Sequence, residues 1–183
     1  MGLLSCFPNE CNHAIISMHH NVSGNLQINE QTWNIEGADG YIEKDWGTGF
    51  PKEYVWVQAN DWPNSSIVFS YATVPVLGKH AKGFFLVFHH KGKEYRFSSI
   101  EGCKLSDFSV SEDSFNATIK KKGVSITLVA KQFNPVALAA PAHGEMKYRI
   151  KESLDGSLEV IVNIENQREV TLISQRASID VHF

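Results

Sequence analysis

"DSFNATIKKKGVSITLVAKQF", residues 113 to 133, alternates apolar and polar positions on either side of a lysine-glycine turn. Phe115, Ala117 and Ile119 share one face of the first arm, and Val124, Ile126 and Leu128 answer them across the turn. A period of two is the signature of a strand, because successive side chains leave a pleated chain on opposite faces. The basic run Lys120-Lys121-Lys122 ahead of Gly123 then reads as a solvated hairpin turn, not as a phosphate contact.

The same pattern extends in both directions. "GFFLVFHHKGKEYRFSSI" (83–100) reads as a hairpin about a Lys-Gly-Lys turn, and "SLEVIVNIENQREVTLISQ" (157–175) as another joined at Asn166-Gln167. "IISMHHNVSGNLQINEQTWNI" (15–35) supplies a strand and a further hairpin, punctuated by Ser23-Gly24 and Asn29. The six prolines (Pro8, Pro51, Pro63, Pro75, Pro135 and Pro141) are expected between strands, where a missing donor does least harm. About ten short strands with regular turn signals predict an all-β, antiparallel barrel or sandwich. No linker-like tract divides the chain, so residues 1–183 are expected to form one β domain. Phe84 to Phe88 is bulky on both faces, which leaves open an apolar interior for a ligand or a second covering layer.

Composition narrows the function. In 183 residues, 43% are hydrophobic and 20% charged, an ordinary globular balance that should bury roughly two-thirds of the extended surface. A net charge of −3 offers no electrostatic footprint for nucleic acid. No apolar run has the length of a membrane span, and the start lacks the charged and apolar regions of a secretion signal. Cytoplasmic residence is the expectation, and an odd count of three cysteines fits a reducing compartment. Adjacent pairs such as His19-His20 and His89-His90 point to opposite faces of a strand, and no spacing matches a metal-ligand pattern. No metal and no cofactor are therefore expected. His143 is read as part of a Pro/Gly turn, and Cys103 lacks any nucleophile signature.

The segment that carries chemistry is "GYIEKDWGTGFPKEYVWVQANDW" (40–62), which holds three of the four tryptophans. In an extended chain Tyr41, Glu43 and Asp45 share one face, opposite Ile42, Lys44 and Trp46. In the next strand Tyr54, Trp56, Gln58 and Asn60 share a face, a poor core but a fitting wall for an apolar ligand with one polar end. A carboxyl against aromatic surface loses solvation, so Glu43 is the candidate proton-bearing acid, with Asp45 placed to orient it or share its proton. The competing reading makes Glu43, Lys44 and Lys52 surface ions and Trp46 a plug.

The stretch Gly40, Tyr41, Glu43, Lys44, Trp46, Gly47, Phe50, Pro51, followed by Trp56, Val57, Gln58 and Asn60, resembles the signature of the tocopherol cyclase family. "FPNECNHAIISMHH" (7–20) and "LAAPAHGEM" (138–146) resemble recurring segments of its bacterial branch. The resemblance implies a lipocalin-like fold related to carotenoid hydratases. It also implies a hydrophobic, isoprenoid or aromatic small-molecule ligand, and acid-promoted cyclisation or hydration led by Glu43. Tyr41, Asp45, Trp46, Phe50, Trp56, Gln58 and Asn60 would form the ligand-binding set. Family members are typically longer, with a preceding β domain. The resemblance thus corresponds to their second half and implies open edges that invite a homodimer or an N-terminal partner. A non-catalytic carrier with the same site is the alternative expectation.

Overall fold

The computed structural model describes residues 11–76 and 79–183. Cys6, Pro8 and the start of the 7–20 segment lie outside the described residues. The chain runs through β1 (Cys11–Val22), β2 (Asn25–Ile28), β3 (Gln31–Asn34), β4 (Ala38–Gly47), β5 (Tyr54–Trp62), β6 (Ser65–Val76) and β7 (Lys79–His90). It continues through β8 (Lys93–Ser98), β9 (Lys104–Val110), β10 (Ser114–Lys121), β11 (Val124–Lys131), β12 (Val136–Ala142), β13 (Glu145–Ile164) and β14 (Val170–His182). Every ladder is antiparallel, and the described residues contain no α-helix. The fold is all-β.

Ten strands form one sheet in the order β8-β7-β6-β5-β14-β13-β11-β10-β9, with β12 paired to the first part of β13. The hairpins are those the alternation predicts. Ile119 faces Ile126 and Ala117 faces Leu128 across the lysine turn, where Gly123 supplies a φ of 73°. A left-handed φ of that kind costs glycine nothing. The sheet curls until its ends approach: Lys121 on β10 donates to the carbonyl of Arg96 on β8 at 3.3 Å and pairs with Glu101 at 2.9 Å.

Inside the curl lies the main core. Val55, Val57, Ile67, Phe69, Leu86 and Phe88 from one wing meet Phe115, Ile119, Ile126, Leu128, Leu158 and Ile179 from the other, all but Phe115 at 0% exposure. Phe69 joins the wings, with ring centroids 5.8 Å from Phe115 and 6.5 Å from Phe84. The interior is thus filled by side chains. Among the described residues, the two best-formed hollows are open surface depressions, one at the β10–β11 turn and one at the β2–β3 hairpin.

The strands apolar on both faces are explained by a second layer. β1 and β4 pair as a separate two-stranded ribbon, His13 opposite Asp45 and Ile15 opposite Glu43, with register shifts between Ile15 and His20. Phe84, Leu86 and Phe88 point into the curl, whereas Phe85 points outward beneath the ribbon, 5.2 Å from the His13 ring. The short β2–β3 hairpin extends from the far end of that ribbon.

Two prolines depart from the expected placement. Pro75 lies within β6, and Pro141 within β12 at the register shift between Ala140 and Ala142. At Pro141 the bulge on the peripheral strand β12 tolerates the missing donor as well as a loop does. The same logic explains Gly156, at a register shift of β13 with no room for a side chain. A Cβ there would stand 2.5 Å from Ile179 Cδ1 and 3.0 Å from the Lys131 carbonyl oxygen. Gly156→Ala is therefore expected to destabilise the protein by about 1–3 kcal/mol, read from urea unfolding midpoints.

Candidate active site

The outer face of the large sheet beneath the ribbon is where the candidate residues converge. Alternation along β5 sends Val55, Val57 and Ala59 into the core and leaves Tyr54, Trp56, Gln58 and Asn60 outside it. Directly opposite residues place Glu152, Asp180, Trp56, Ser70, Phe85 and Ser98 in one row across five strand boundaries. The ribbon lies over part of this row, with His13 above Phe85 and Glu43 approached by the Trp56 indole.

Glu43 sits half-buried at the centre of a short chain of polar contacts. Tyr41 donates its hydroxyl proton to Glu43 Oε2 at 2.6 Å, as expected for residues two apart on one strand face. His13 Nδ1–H donates to Asp45 Oδ1 at 2.7 Å, and its Nε2 lies 3.6 Å from Glu43 Oε2. Tyr41 and His13 both address Oε2, which leaves Oε1 clear of both. The Trp56 N–H approaches the same carboxyl without closing a hydrogen bond.

Burial pushes the Glu43 carboxyl above its ordinary range. The Tyr41 hydrogen bond and the charge on His13 offset part of the rise, and the Asp45 charge adds to it. For His13, burial alone would lower the imidazole. The hydrogen bond and charge of Asp45, with the charge of Glu43, outweigh that and raise it. Tyr41 is raised by burial and by its contact with Glu43. Cys11 is pushed up to about 12 by burial and the Asp45 charge, which makes it an inert thiol.

His13, Glu43 and Asp45 offer ligand atoms within 4.8 Å of one another, close enough to gather round an ion. As placed, each carboxylate addresses a different nitrogen of the same ring. The His13 ring thus bridges the two carboxylates, Nδ1 toward Asp45 and Nε2 toward Glu43. The raised His13 is worth stability below its ordinary pKa near 6.5, lost as pH rises through the higher folded value. Asp45→Asn is expected to move the His13 midpoint down in an imidazole NMR titration and to remove that acid-side stabilisation.

Of the nine buried side-chain polar atoms without a partner among the described residues, eight belong to this sheet face or the ribbon over it. They include Trp56 Nε1, Gln58 Nε2, Asn60 Nδ2 and Asp180 Oδ1. Such groups each cost about 1–3 kcal/mol when left unmade, and here they gather in one seam.

The other expected residues divide. Phe50 packs beside Tyr54 at 6.0 Å in a small cluster with Ala140 and Ile150, next to the seam. Trp46 is 48% exposed on the opposite side of β4, with the Lys44 ammonium 5.2 Å over its ring. Ile42 shares that exposed side. The His143-Gly144 pair forms the β12–β13 turn, both in the left-handed region. Two residues not singled out from sequence join the site: His13, by register with Asp45, and Asp180, by register with Trp56.

The profile of the family described as "Tocopherol cyclase-like" matches residues 1–182. The chain belongs to that family. It is 36% identical over 66 residues to "Tocopherol cyclase, chloroplastic" of Zea mays, an alignment covering 36% of this chain and 14% of the maize protein. It is 31% identical over 103 residues to "Probable tocopherol cyclase, chloroplastic" of Oryza sativa subsp. japonica, covering 52% of this chain and 22% of the rice protein. This tocopherol cyclase-like chain therefore aligns with under a quarter of either relative's length. No solved structure matches it. Among the described residues, no helix is long and apolar enough to cross a membrane.

Proposed function

We propose that the seam between ribbon and sheet binds an isoprenoid-type or aromatic ligand and promotes its cyclisation or hydration by proton transfer from Glu43. One observation carries this reading: a half-buried carboxyl with a raised pKa faces a row of unpartnered buried donors. Glu43 Oε1–H would protonate a prenyl double bond and leave a tertiary cation. The bond to the captured oxygen, either the ligand's own phenol or a water, then forms as that oxygen loses its proton. The proton returns to the Glu43 carboxylate, so acid and catalyst are regenerated.

The surrounding residues have defined parts in this scheme. The Tyr41 hydroxyl and the protonated His13 stabilise the carboxylate that forms, and Asp45 holds the His13 ring in register. The Trp56 face offers its negative quadrupole to the cation, and Gln58 and Asn60 offer N–H donors to the polar head. Phe50, packed beside Tyr54 next to the seam, completes the proposed ligand-binding set, whereas Trp46 faces outward from β4 and has no part in this scheme.

Incubation with a panel of prenylated benzoquinols, followed by mass spectrometry, tests the reading. A product isomeric with its substrate indicates cyclisation, and a gain of one water indicates hydration. Bound ligand recovered unchanged assigns the seam to a carrier, and no retention of any member of the panel discards the binding site.

A further inference from the structure

Asp180 is a second carboxyl of the seam that the scheme above leaves unused. It is 93% buried by its 7% exposure, yet among the described residues no cation lies within salt-bridge reach of it. Tyr54 donates to Oδ2 at 2.6 Å, while Oδ1 is buried without a partner. In the sheet it sits directly opposite Trp56 on one side and Glu152 on the other. Its neighbours Ile179 and Val181 fill the core, so Asp180 stands on the outer face with Trp56, the residue that Glu43 overlies.

A buried carboxylate with a single hydroxyl donor and an acidic neighbour has little to hold its charge. As the neutral acid it fits, because Oδ2 accepts from Tyr54 and Oδ1–H becomes a buried donor in search of an acceptor. We infer that Asp180 is a neutral hydrogen-bond donor that holds an acceptor oxygen of the ligand, across the Trp56 indole from Glu43, and that binding weakens when this carboxyl ionises. The unpartnered atoms along β5, Trp56 Nε1, Gln58 Nε2 and Asn60 Nδ2, are donors too, so this part of the seam favours an acceptor oxygen. Burial pushes the Asp180 carboxyl up to about 7, Glu152 adds to the rise, and the Tyr54 hydrogen bond offsets part of it.

The titratable groups packed against it are Tyr54 on β5, Glu152 on β13, His182 on its own strand and, beyond Tyr54, Cys11 on β1. Tyr54 is raised by burial and by Asp180, Cys11 is raised to about 12, and Glu152 is raised by burial. Tyr54 and Cys11 keep their protons across the neutral range. Glu43 faces the seam from the ribbon side and is controlled for separately.

The inference rests on the ligand-binding reading of the seam, and two measurements keep their failures apart. The first is independent of ligand: the carbon-13 shift of the Asp180 carboxyl, assigned by its loss in Asp180→Asn, is expected to titrate near 7. A midpoint near 4 overturns the inference and leaves the seam's role standing. The second is affinity for a prenylated benzoquinol, uncharged below its phenol pKa of about 10, measured from pH 5 to pH 9 on the full chain. Affinity is expected to fall roughly tenfold per pH unit above the midpoint, and the same fall should persist in Glu43→Gln. Asp180→Asn, a neutral isostere that keeps a donor and the Tyr54 partner, should bind without that fall. Tyr54→Phe should move the fall to higher pH. A fall retained in Asp180→Asn, or absent from the parent, overturns the inference. Failure of the parent to bind at any pH removes the reading of the seam and this role with it.

Discussion

Glu43→Gln is expected to reduce turnover of a prenylated quinol by about a hundred- to ten-thousand-fold, while affinity for the unreacted ligand stays within about threefold. The amide keeps the volume of the acid and can accept the Tyr41 hydroxyl now received by Oε2. It has no proton acidic enough for an alkene. Binding and chemistry thus separate at one atom, and steady-state kinetics should show the loss in kcat with KM little changed. Equal losses in both would point to a collapsed site. The stability of the variant provides a check. Glu43 is raised in the folded state, so its ionisation costs stability as pH rises from 4.5 through the folded value. Glutamine removes that cost, and Glu43→Gln should unfold no earlier than the parent at pH 7.

The seam shows how far an alternating pattern can be read. Side-chain period assigns a residue to a face, so the grouping of Tyr41, Glu43 and Asp45, and of Tyr54, Trp56, Gln58 and Asn60, was legible from residue order alone. Period does not name the strand that lies opposite. β1 pairs with β4 across the whole β2–β3 hairpin, and only that register brings His13 to Asp45. The register shifts after Ile15 disrupt the phase of β1, so the faces of His19 and His20 do not follow from that of His13. Asp180 was hidden differently. In the run Ile179-Asp180-Val181 it reads as the solvent side of a half-buried strand, and the β5 and β13 residues packed against it are distant in the chain. The bulk on both faces of β7 was visible, and the ribbon supplies its meaning: one face belongs to the core and the other to the seam.

That division makes a second variant informative. Phe69→Ala should destabilise the protein by about 3–5 kcal/mol, seen as a lower urea midpoint at unchanged slope. Phe69 is fully buried and touches rings from both wings of the curl, so its loss opens a void where few neighbours can close in. Its strand neighbours Val68 and Ser70 point the other way, to the row containing Trp56. The folded fraction of Phe69→Ala at low temperature should therefore keep ligand affinity and turnover per folded molecule within about threefold of the parent. Glu43→Gln should show the reverse, with stability kept and turnover lost. If Phe69→Ala instead abolished turnover in molecules shown by circular dichroism to be folded, core and site would be one unit. The ribbon would then not be an independent wall of the seam, and the acid role assigned to Glu43 would not be separable from the packing of the core.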